Sequence, residues 1–348
     1  YTTPGGKCKV EPERQSPWLP PCLFPRPMLY SPHLYTLPGG APTVRPSVVL
    51  GFFALLLALI VGVWLAFGDQ ISFYLKLFQV MRTGRRFYEQ YPHLDRDLVF
   101  HPDMAPRLDV YSPREGEGHP VLIFVHGGSW MDYDKNLFAP VAQKLLPEGV
   151  VVIIPNYTLS PDATYQQMAR EMAAAIAWAL ENAARYGGDP GRVIVAGHSA
   201  GAHLSGLAVL DARYLEELGH SSDEICGWIG LSGVYDIQAE YNYWVNKGTT
   251  PKVILEVMGG QQNFGQASPL SYVRADLPPL LIIHGDEDET VPVAISTAFH
   301  AALQAAGAPS RLIVYPGAGH SDYLFAGLSE ERAPIVDDIV QFVQSCGR

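Results

Sequence analysis

The sequence predicts an α/β fold, in which a mostly parallel central sheet carries helices on both faces and follows an N-terminal transmembrane helix. Continuous β-branched runs at residues 121–125 and 150–154 are typical of strands buried on both faces. A long helical pattern covers residues 163–186 and ends at glycine. Strands that alternate with helices favour parallel pairing through right-handed crossovers.

Residues 1–45 are predicted to form a Pro-rich extended tail. Together with residue 46 they hold 11 of the 29 prolines and show no apolar periodicity, so they cannot bury a core of their own. A membrane-complex partner that binds residues 1–46 is one expectation for this segment. Cys8 and Cys22 pair if the tail faces an oxidising compartment, and the alternative is that all four cysteines are free. Cys226 lies in an apolar run and is predicted to be a buried thiol.

Residues 46–68 are predicted to form a transmembrane helix, because these 23 residues carry no charge and about 20 residues cross the hydrocarbon core. The alternative is an apolar helix buried against the domain. Residues 69–94 are expected to form a juxtamembrane linker or helix. Its basic side chains outnumber those just before the span, which places the following domain in the cytosol by the positive-inside rule. These side chains are Lys76, Arg82, Arg85 and Arg86, against Arg26 and Arg45.

Residues 95–348 are predicted to form the catalytic domain, built from strand and helix signals in alternation. The strand signals, in chain order, are residues 108–111, 121–125, 150–154, 193–196, 229–231, 280–283 and 311–315. Since the sheet is mostly parallel, the loops after the strands lie at one edge, where ligand sites form.

The motif Gly197-His198-Ser199-Ala200-Gly201 follows one of these strands and precedes a segment of small, helix-compatible residues. A G-x-S-x-G in that context is a nucleophile elbow, whose tight turn needs small residues on both sides of the serine. We expect the hydroxyl of Ser199 to be the nucleophile. A serine needs a base, and the base needs an orienting acid.

Two loops downstream supply candidates for the acid and the base. The strand at residues 280–283 runs into an acidic loop, in which Asp288 is the predicted acid and Asp286 the alternative. His320 lies on a Gly-rich loop after the last strand and is the predicted base. His198, His203 and His284 are expected to be structural, the last by bracing the acid loop.

The segment His126-Gly127-Gly128-Ser129-Trp130 follows the strand at residues 121–125. Glycines let backbone N–H groups approach a substrate oxygen, so Gly127 and Gly128, with Ala200 after the nucleophile, are predicted to form the oxyanion hole. A substrate pocket is predicted from aromatic side chains near these loops, and the alternative is that they pack a cap helix. These are Trp130, Tyr235, Tyr243 and Trp244.

This set of motifs resembles the α/β-hydrolase superfamily, and within it the isoprenylcysteine methylesterases. The likeness is carried by the elbow with Ala202-His203, the H-G-G-x-W loop, residues 231–236 and residues 319–322, and it covers residues 95–346. It implies a membrane-bound serine ester hydrolase of an endomembrane (ER or Golgi) or organelle membrane. The implied substrate is a small-molecule or lipidated ester, such as the methyl ester of a prenylated cysteine, at a membrane lipid surface.

The composition of the chain argues against some classes of function. A net charge of −11 argues against nucleic acid as a partner, because phosphate binding needs a basic face. No cofactor or metal is expected, since the cysteines lack metal-ligand spacing. The alternative to a serine carboxylic ester hydrolase is an accessory or scaffold subunit of a membrane complex that keeps a hydrolase fold. A further alternative is a secreted lipase held by an uncleaved signal.

Overall fold

The computed structural model describes residues 45–329 and 333–347. The chain divides into two compact units, Tyr1–Gly62 and Val63–Arg348. The predictions for the Pro-rich tail, including its cysteine pair and its partner, lie outside the described residues.

The described part of the first unit is helical and apolar. Helix α1 is continuous over Pro46–Gln90, so it covers the predicted transmembrane helix and residues 69–90 of the predicted juxtamembrane segment, and residues 91–94 lie beyond it. Within it, Ser47–Leu65 has a mean hydropathy of 2.9 over 19 residues, and none of this stretch is buried. The helix is long and apolar enough to cross a membrane.

The second unit is organised around one eight-stranded sheet. Its strands are β1 (Leu94–Leu98), β2 (Leu108–Tyr111), β3 (His119–Val125), β4 (Val151–Pro155), β5 (Gly188–His198), β6 (Gly227–Leu231), β7 (Leu280–Gly285) and β8 (Ser310–Tyr315). They are ordered β1-β2-β4-β3-β5-β6-β7-β8. The strands from β3 onward pair in parallel, and β2 pairs antiparallel with both β1 and β4. The expectation of a mostly parallel sheet is confirmed.

Helices cover both faces of the sheet, as predicted. Those after α1 are α2 (Ala139–Leu145), α3 (Tyr165–Asn182), α4 (Ala200–Leu210), α5 (Ala212–Glu216), α6 (Ile237–Asn246), α7 (Lys252–Met258), α8 (Val293–Ala306), α9 (Asp322–Ser329) and α10 (Pro334–Ser345). Along β3, Val121, Ile123 and Val125 enter one apolar cluster, and Leu122 and Phe124 enter the other. Two buried faces explain why the strands are apolar without alternation.

A disulfide joins Cys226, just before β6, to Cys346, just after α10. The prediction that Cys226 is a free buried thiol is therefore wrong. The two cysteines are 120 residues apart, so no local spacing indicated the pair. The bond fixes the end of the chain to the sheet.

The parallel strands bring the loops after β3, β5, β7 and β8 to one edge. These four loops carry the oxyanion segment, the elbow serine, the acidic loop and the loop with His320, respectively. The topology thus assembles, from distant parts of the chain, the residues that the sequence marked as candidates.

Candidate active site

Ser199 lies at the junction of β5 and α4, in a backbone conformation that side chains rarely adopt. Its φ is 55° and its ψ is −121°, and its N–H donates to the carbonyl of Leu231 at 2.8 Å. This is the strained turn of a nucleophile elbow. The side chain stays near the surface of the cleft, with 8% of Ser199 exposed.

The two glycines of the elbow are required by contact. A Cβ at Gly197 would overlap the carbonyl of Gly201. A Cβ at Gly201 would overlap the carbonyl oxygens of Val125 and His126. Since all of these obstacles are backbone atoms, side-chain rotation cannot relieve the overlap. The small residues predicted around the serine thus have a direct steric cause.

Three predicted side chains form a continuous chain of hydrogen bonds. Nε2 of His320 lies 2.9 Å from Oγ of Ser199, and Nδ1 of His320 lies 2.7 Å from Oδ2 of Asp288. With a proton on Nδ1, the imidazole donates to the carboxylate and accepts from the serine hydroxyl. This is the arrangement that lets a histidine remove the proton of a serine.

Asp288 is held as a carboxylate by several donors. Its Oδ1 accepts from the backbone N–H groups of Thr290 and Val291, both at 2.9 Å. Its Oδ2 also lies 3.0 Å from Nε2 of His284. Burial raises the pKa of Asp288, but hydrogen bonds from His284 and His320 outweigh it and hold that pKa well below its usual range. The group stays ionised beside His320.

The alternative acid has a different role. Oδ1 of Asp286 accepts from the N–H of Gly317 at 2.6 Å, and its side chain is exposed. It ties the acidic loop to the loop that carries His320 and makes no contact with the imidazole in the described structure. The structure therefore brings Asp288, and not Asp286, to the base.

Two of the three predicted oxyanion donors, Gly127 and Ala200, lie beside Ser199. A Cβ at Gly127 would lie 3.1 Å from Cβ of Ser199, so this backbone is adjacent to the nucleophile. Ala200 is the first residue of α4, and the first N–H groups of a helix have no acceptor within it. Gly128 has a φ of 116°, which is the region that favours glycine, and its carbonyl caps the turn to Asp132.

A buried hydrogen-bond relay holds this loop in place. Nε1 of Trp130 donates to Nδ1 of His203 at 3.1 Å, and Nε2 of His203 donates to the carbonyl of Ala267 at 2.7 Å. Burial lowers the pKa of His203 to about 4, so the ring is neutral and its one proton sits on Nε2. Trp130 is thereby tied to α4, the helix that begins beside the serine.

His198 braces the opposite side of the site. Its Nε2 lies 3.1 Å from the carbonyl oxygen of His320, and the two rings are 5.0 Å apart. Burial, with the nearby His320, lowers the pKa of His198 to about 3, so Nε2 donates to that carbonyl as a neutral imidazole. The ring thus supports the loop of the base and does not contact the nucleophile, as predicted.

A cavity of about 170 Å³ opens beside Ser199. Trp130 and Trp244 line it, as predicted, but two other predicted pocket residues do not. Tyr235 is fully buried and stacks on Phe299 at 4.4 Å, because the chain after β6 turns into the core. The hydroxyl of Tyr243 donates to the carbonyl of Glu289 at 2.9 Å, outside the cavity.

The cavity also contains residues that the sequence did not indicate. Most are apolar or carry a hydroxyl: Val234, Thr249, Pro251, Val253, Ile254, Thr290 and Val291. One is acidic, Glu240 of α6, and it is 3% exposed. Its only signal in the sequence is its place four residues before Trp244 on one helical face.

Within residues 45–329 and 333–347, no group of three or more His, Cys, Asp or Glu side chains is arranged to hold a metal ion.

Comparison with known proteins gives a family and a set of relatives. A family model described as BD-FAE matches residues 108–303. The chain is 30% identical over 264 residues to the isoprenylcysteine alpha-carbonyl methylesterase ICME of Arabidopsis thaliana, a match that covers 72% of this chain and 62% of that protein. It is 37% identical over 221 residues to the esterase LipQ of Mycobacterium tuberculosis, covering 61% and 50%. The chain thus spans between half and two thirds of the length of these relatives.

Solved structures show the same fold. A truncated carbohydrate esterase from gut microbiota superposes with a TM-score of 0.62 at 23% identity, covering 73% of this chain and 96% of that one. The apo form of Thermogutta terrifontis esterase 2 gives a TM-score of 0.62 at 23% identity, covering 74% and 96%. These likenesses establish an α/β-hydrolase fold, with a mixed sheet and helices on both faces. The predicted resemblance to the isoprenylcysteine methylesterases is confirmed.

Proposed function

Because the chain belongs to the BD-FAE family, we propose that it is a carboxylic ester hydrolase that acts through Ser199, His320 and Asp288. The observation that carries the proposal is the unbroken hydrogen-bond chain from Ser199 Oγ through His320 to Asp288. The two relatives described above are named as a methylesterase and an esterase, which supports the proposal. The accessory-subunit alternative finds no supporting feature in the described residues.

The reaction follows from the geometry. Ser199 attacks the ester carbonyl while Nε2 of His320 takes its proton. The negative charge that develops on the carbonyl oxygen meets the N–H groups of Gly127, Gly128 and Ala200. His320 then protonates the leaving alcohol, and water cleaves the acyl-enzyme by the same path. Asp288 keeps the imidazole oriented and stabilises its positive charge.

The finer proposal is that the substrate is a methyl ester, of which the methyl ester of a prenylated cysteine is one example. It is supported by the names of the relatives at about 30% identity. Typical ligand sites of about 300–1,000 Å³ are larger than the cavity of 170 Å³. A long prenyl chain therefore extends outside the cavity, and only the group next to the ester carbonyl enters it.

We also propose that Ser47–Leu65 anchors the protein as a single-pass span, since its length and hydropathy suit a bilayer. The basic side chains that follow favour the cytosolic side for the catalytic domain. The Cys226–Cys346 disulfide favours an oxidising compartment instead, because disulfides are rare in the cytosol. As the charge bias is small, we propose the oxidising side. Protease protection in sealed vesicles tests it, and a domain digested only from the cytosolic side would overturn it.

The experiment for the activity is fluorophosphonate labelling of the detergent-solubilised protein. We expect wild type to be labelled and Ser199→Ala to be silent. Ser205→Ala is the matched control, because Ser205 lies on the same helix and its hydroxyl accepts from Trp228. That variant should label like wild type. Absence of labelling in folded wild-type protein would reject the proposal.

A further inference from the structure

The cavity beside Ser199 contains one acidic side chain to which the reaction gives no role. Glu240 lies on α6 and is 97% buried, and it lines the cavity together with Ser199 and Ala200. A buried carboxyl group is costly to keep unless its oxygens are hydrogen-bonded. Each of its two oxygens is therefore expected to have a hydrogen-bond partner.

The two carboxyl oxygens of Glu240 differ in their hydrogen bonding. Oε1 accepts from Nε1 of Trp244 at 2.7 Å. Oε2 is buried and has no hydrogen-bond partner among the residues that the structure describes. The first contact fixes the orientation of the carboxyl group, and the second oxygen is buried without a partner in a residue that lines the cavity.

The neighbouring cavity residues do not compete for this oxygen. The indole N–H of Trp130 already donates to His203, and that of Trp244 donates to the other oxygen of the same carboxyl group. Much of the remaining lining is apolar, including Val234, Val253 and Ile254. A hydrogen-bond donor that enters this cavity therefore finds Oε2 of Glu240 ready to accept.

The size of the cavity limits where such a donor is attached. A sphere of 170 Å³ is about 7 Å across. A substituent on the carbon next to the scissile carbonyl stays inside this space when the carbonyl is at Ser199.

We propose that Glu240 is a substrate-binding residue whose Oε2 accepts a hydrogen bond from an N–H or O–H group next to the ester carbonyl, as an α-amino or α-hydroxy ester presents it. The proposal rests on the proposed ester hydrolase function and names its substrate class. An α-amino ester includes the methyl ester of cysteine, whose nitrogen is attached to the carbon beside the carbonyl.

The protonation of Glu240 agrees with an unfilled site. Burial raises its pKa to about 8, and the negative charge of Asp288 adds to the rise. A bound ammonium group supplies the missing counter-charge, and a bound hydroxyl donates to Oε2 of the ionised carboxyl group. Both substituents therefore suit the same carboxyl group, and the experiment separates them.

The test compares three methyl esters of nearly the same shape: methyl alaninate, methyl lactate and methyl isobutyrate, which carry an amine, a hydroxyl and a methyl group at the same position. We expect wild type to prefer at least one polar ester over the isobutyrate by about tenfold or more in kcat/KM. Glu240→Leu should abolish that preference. Glu240→Gln should keep a preference for lactate and lose one for alaninate, since an amide carries no counter-charge.

Glu256→Gln is the matched control, because Glu256 is exposed on the adjacent α7 and should leave all ratios unchanged. A preference for alaninate alone identifies the amine, and one for lactate alone identifies the hydroxyl. The proposal would be overturned by equal rates of wild type on all three esters, or by a polar preference that survives in Glu240→Leu. In either case, hydrolysis of the isobutyrate would leave the proposed ester hydrolase function intact. Loss of labelling and of all hydrolysis would reject both.

Discussion

Replacing Asp288 by asparagine tests the hydrogen-bond chain of the site with one atom changed. Oδ1 can be kept as the acceptor of the two backbone N–H groups, at Thr290 and Val291. The new NH₂ group then faces Nδ1 of His320, where Oδ2 stood at 2.7 Å. Two donors cannot face each other, so the imidazole moves its proton to Nε2.

The size of the effect follows from that tautomer. With its proton on Nε2, His320 cannot accept from Ser199 Oγ, which lies 2.9 Å away. The corresponding change in a serine protease lowers kcat by about 10⁴, a barrier increase of about 5.5 kcal/mol at 1.36 kcal/mol per tenfold. We expect a loss of the same order here. The altered position is buried, so solvent does not restore the lost interaction.

The assay is hydrolysis of a short-chain methyl ester under saturating conditions, with folding checked by circular dichroism. Asp286→Asn is the control, because that side chain bonds to Gly317 and not to His320. It should change kcat by less than about tenfold. If Asp288→Asn kept kcat within tenfold of wild type while Asp286→Asn lost it, the assignment of the acid would be refuted.

Three further predictions concern stability. Burial lowers the pKa of His203 to about 4 and that of His198 to about 3, so only the unfolded chain gains these two protons as the pH falls from 6.5 to 4; urea unfolding should show stability falling by roughly 5 kcal/mol over that range, and a flat profile would contradict it. Gly201→Ala should cost about 3 kcal/mol or more in the same assay, while Gly265→Ala, with open space around it, changes little. Cys226→Ser with Cys346→Ser should lower stability by about 4 kcal/mol, and an unchanged melting curve would refute the disulfide.

The buried strands could be predicted because the apolar residues of each one follow one another directly in the sequence. In β3 and β4 every second residue faces a different apolar cluster, and the runs are therefore apolar throughout. Strand β1 was missed because Leu94–Leu98 has three consecutive charged residues between its two leucines and lies at the sheet edge, with most of its residues exposed. Its pairing with β2 depends on tertiary contacts that no short window contains.

The candidate site was predictable where backbone geometry demands particular residues. A Cβ at Gly201 would overlap backbone atoms, which explains why the elbow requires glycine and carries the G-x-S-x-G motif. The cavity was less accessible to prediction, because its lining comes from helices whose packing is not local. Tyr235 was predicted to line the pocket but is fully buried in the core, whereas Glu240, five residues later, was not predicted and lines the cavity.

Three imidazoles around the site form hydrogen bonds that connect its loops. His203 is bonded through both ring nitrogens, and so is His284, which contacts Ser296 and Val291. His198 holds the carbonyl of His320 through its Nε2. Among the described residues, the ring nitrogen within hydrogen-bond distance of Ser199 Oγ belongs to His320. A proton that leaves Ser199 therefore moves to His320, while the other three rings connect the loops that hold this pair in place.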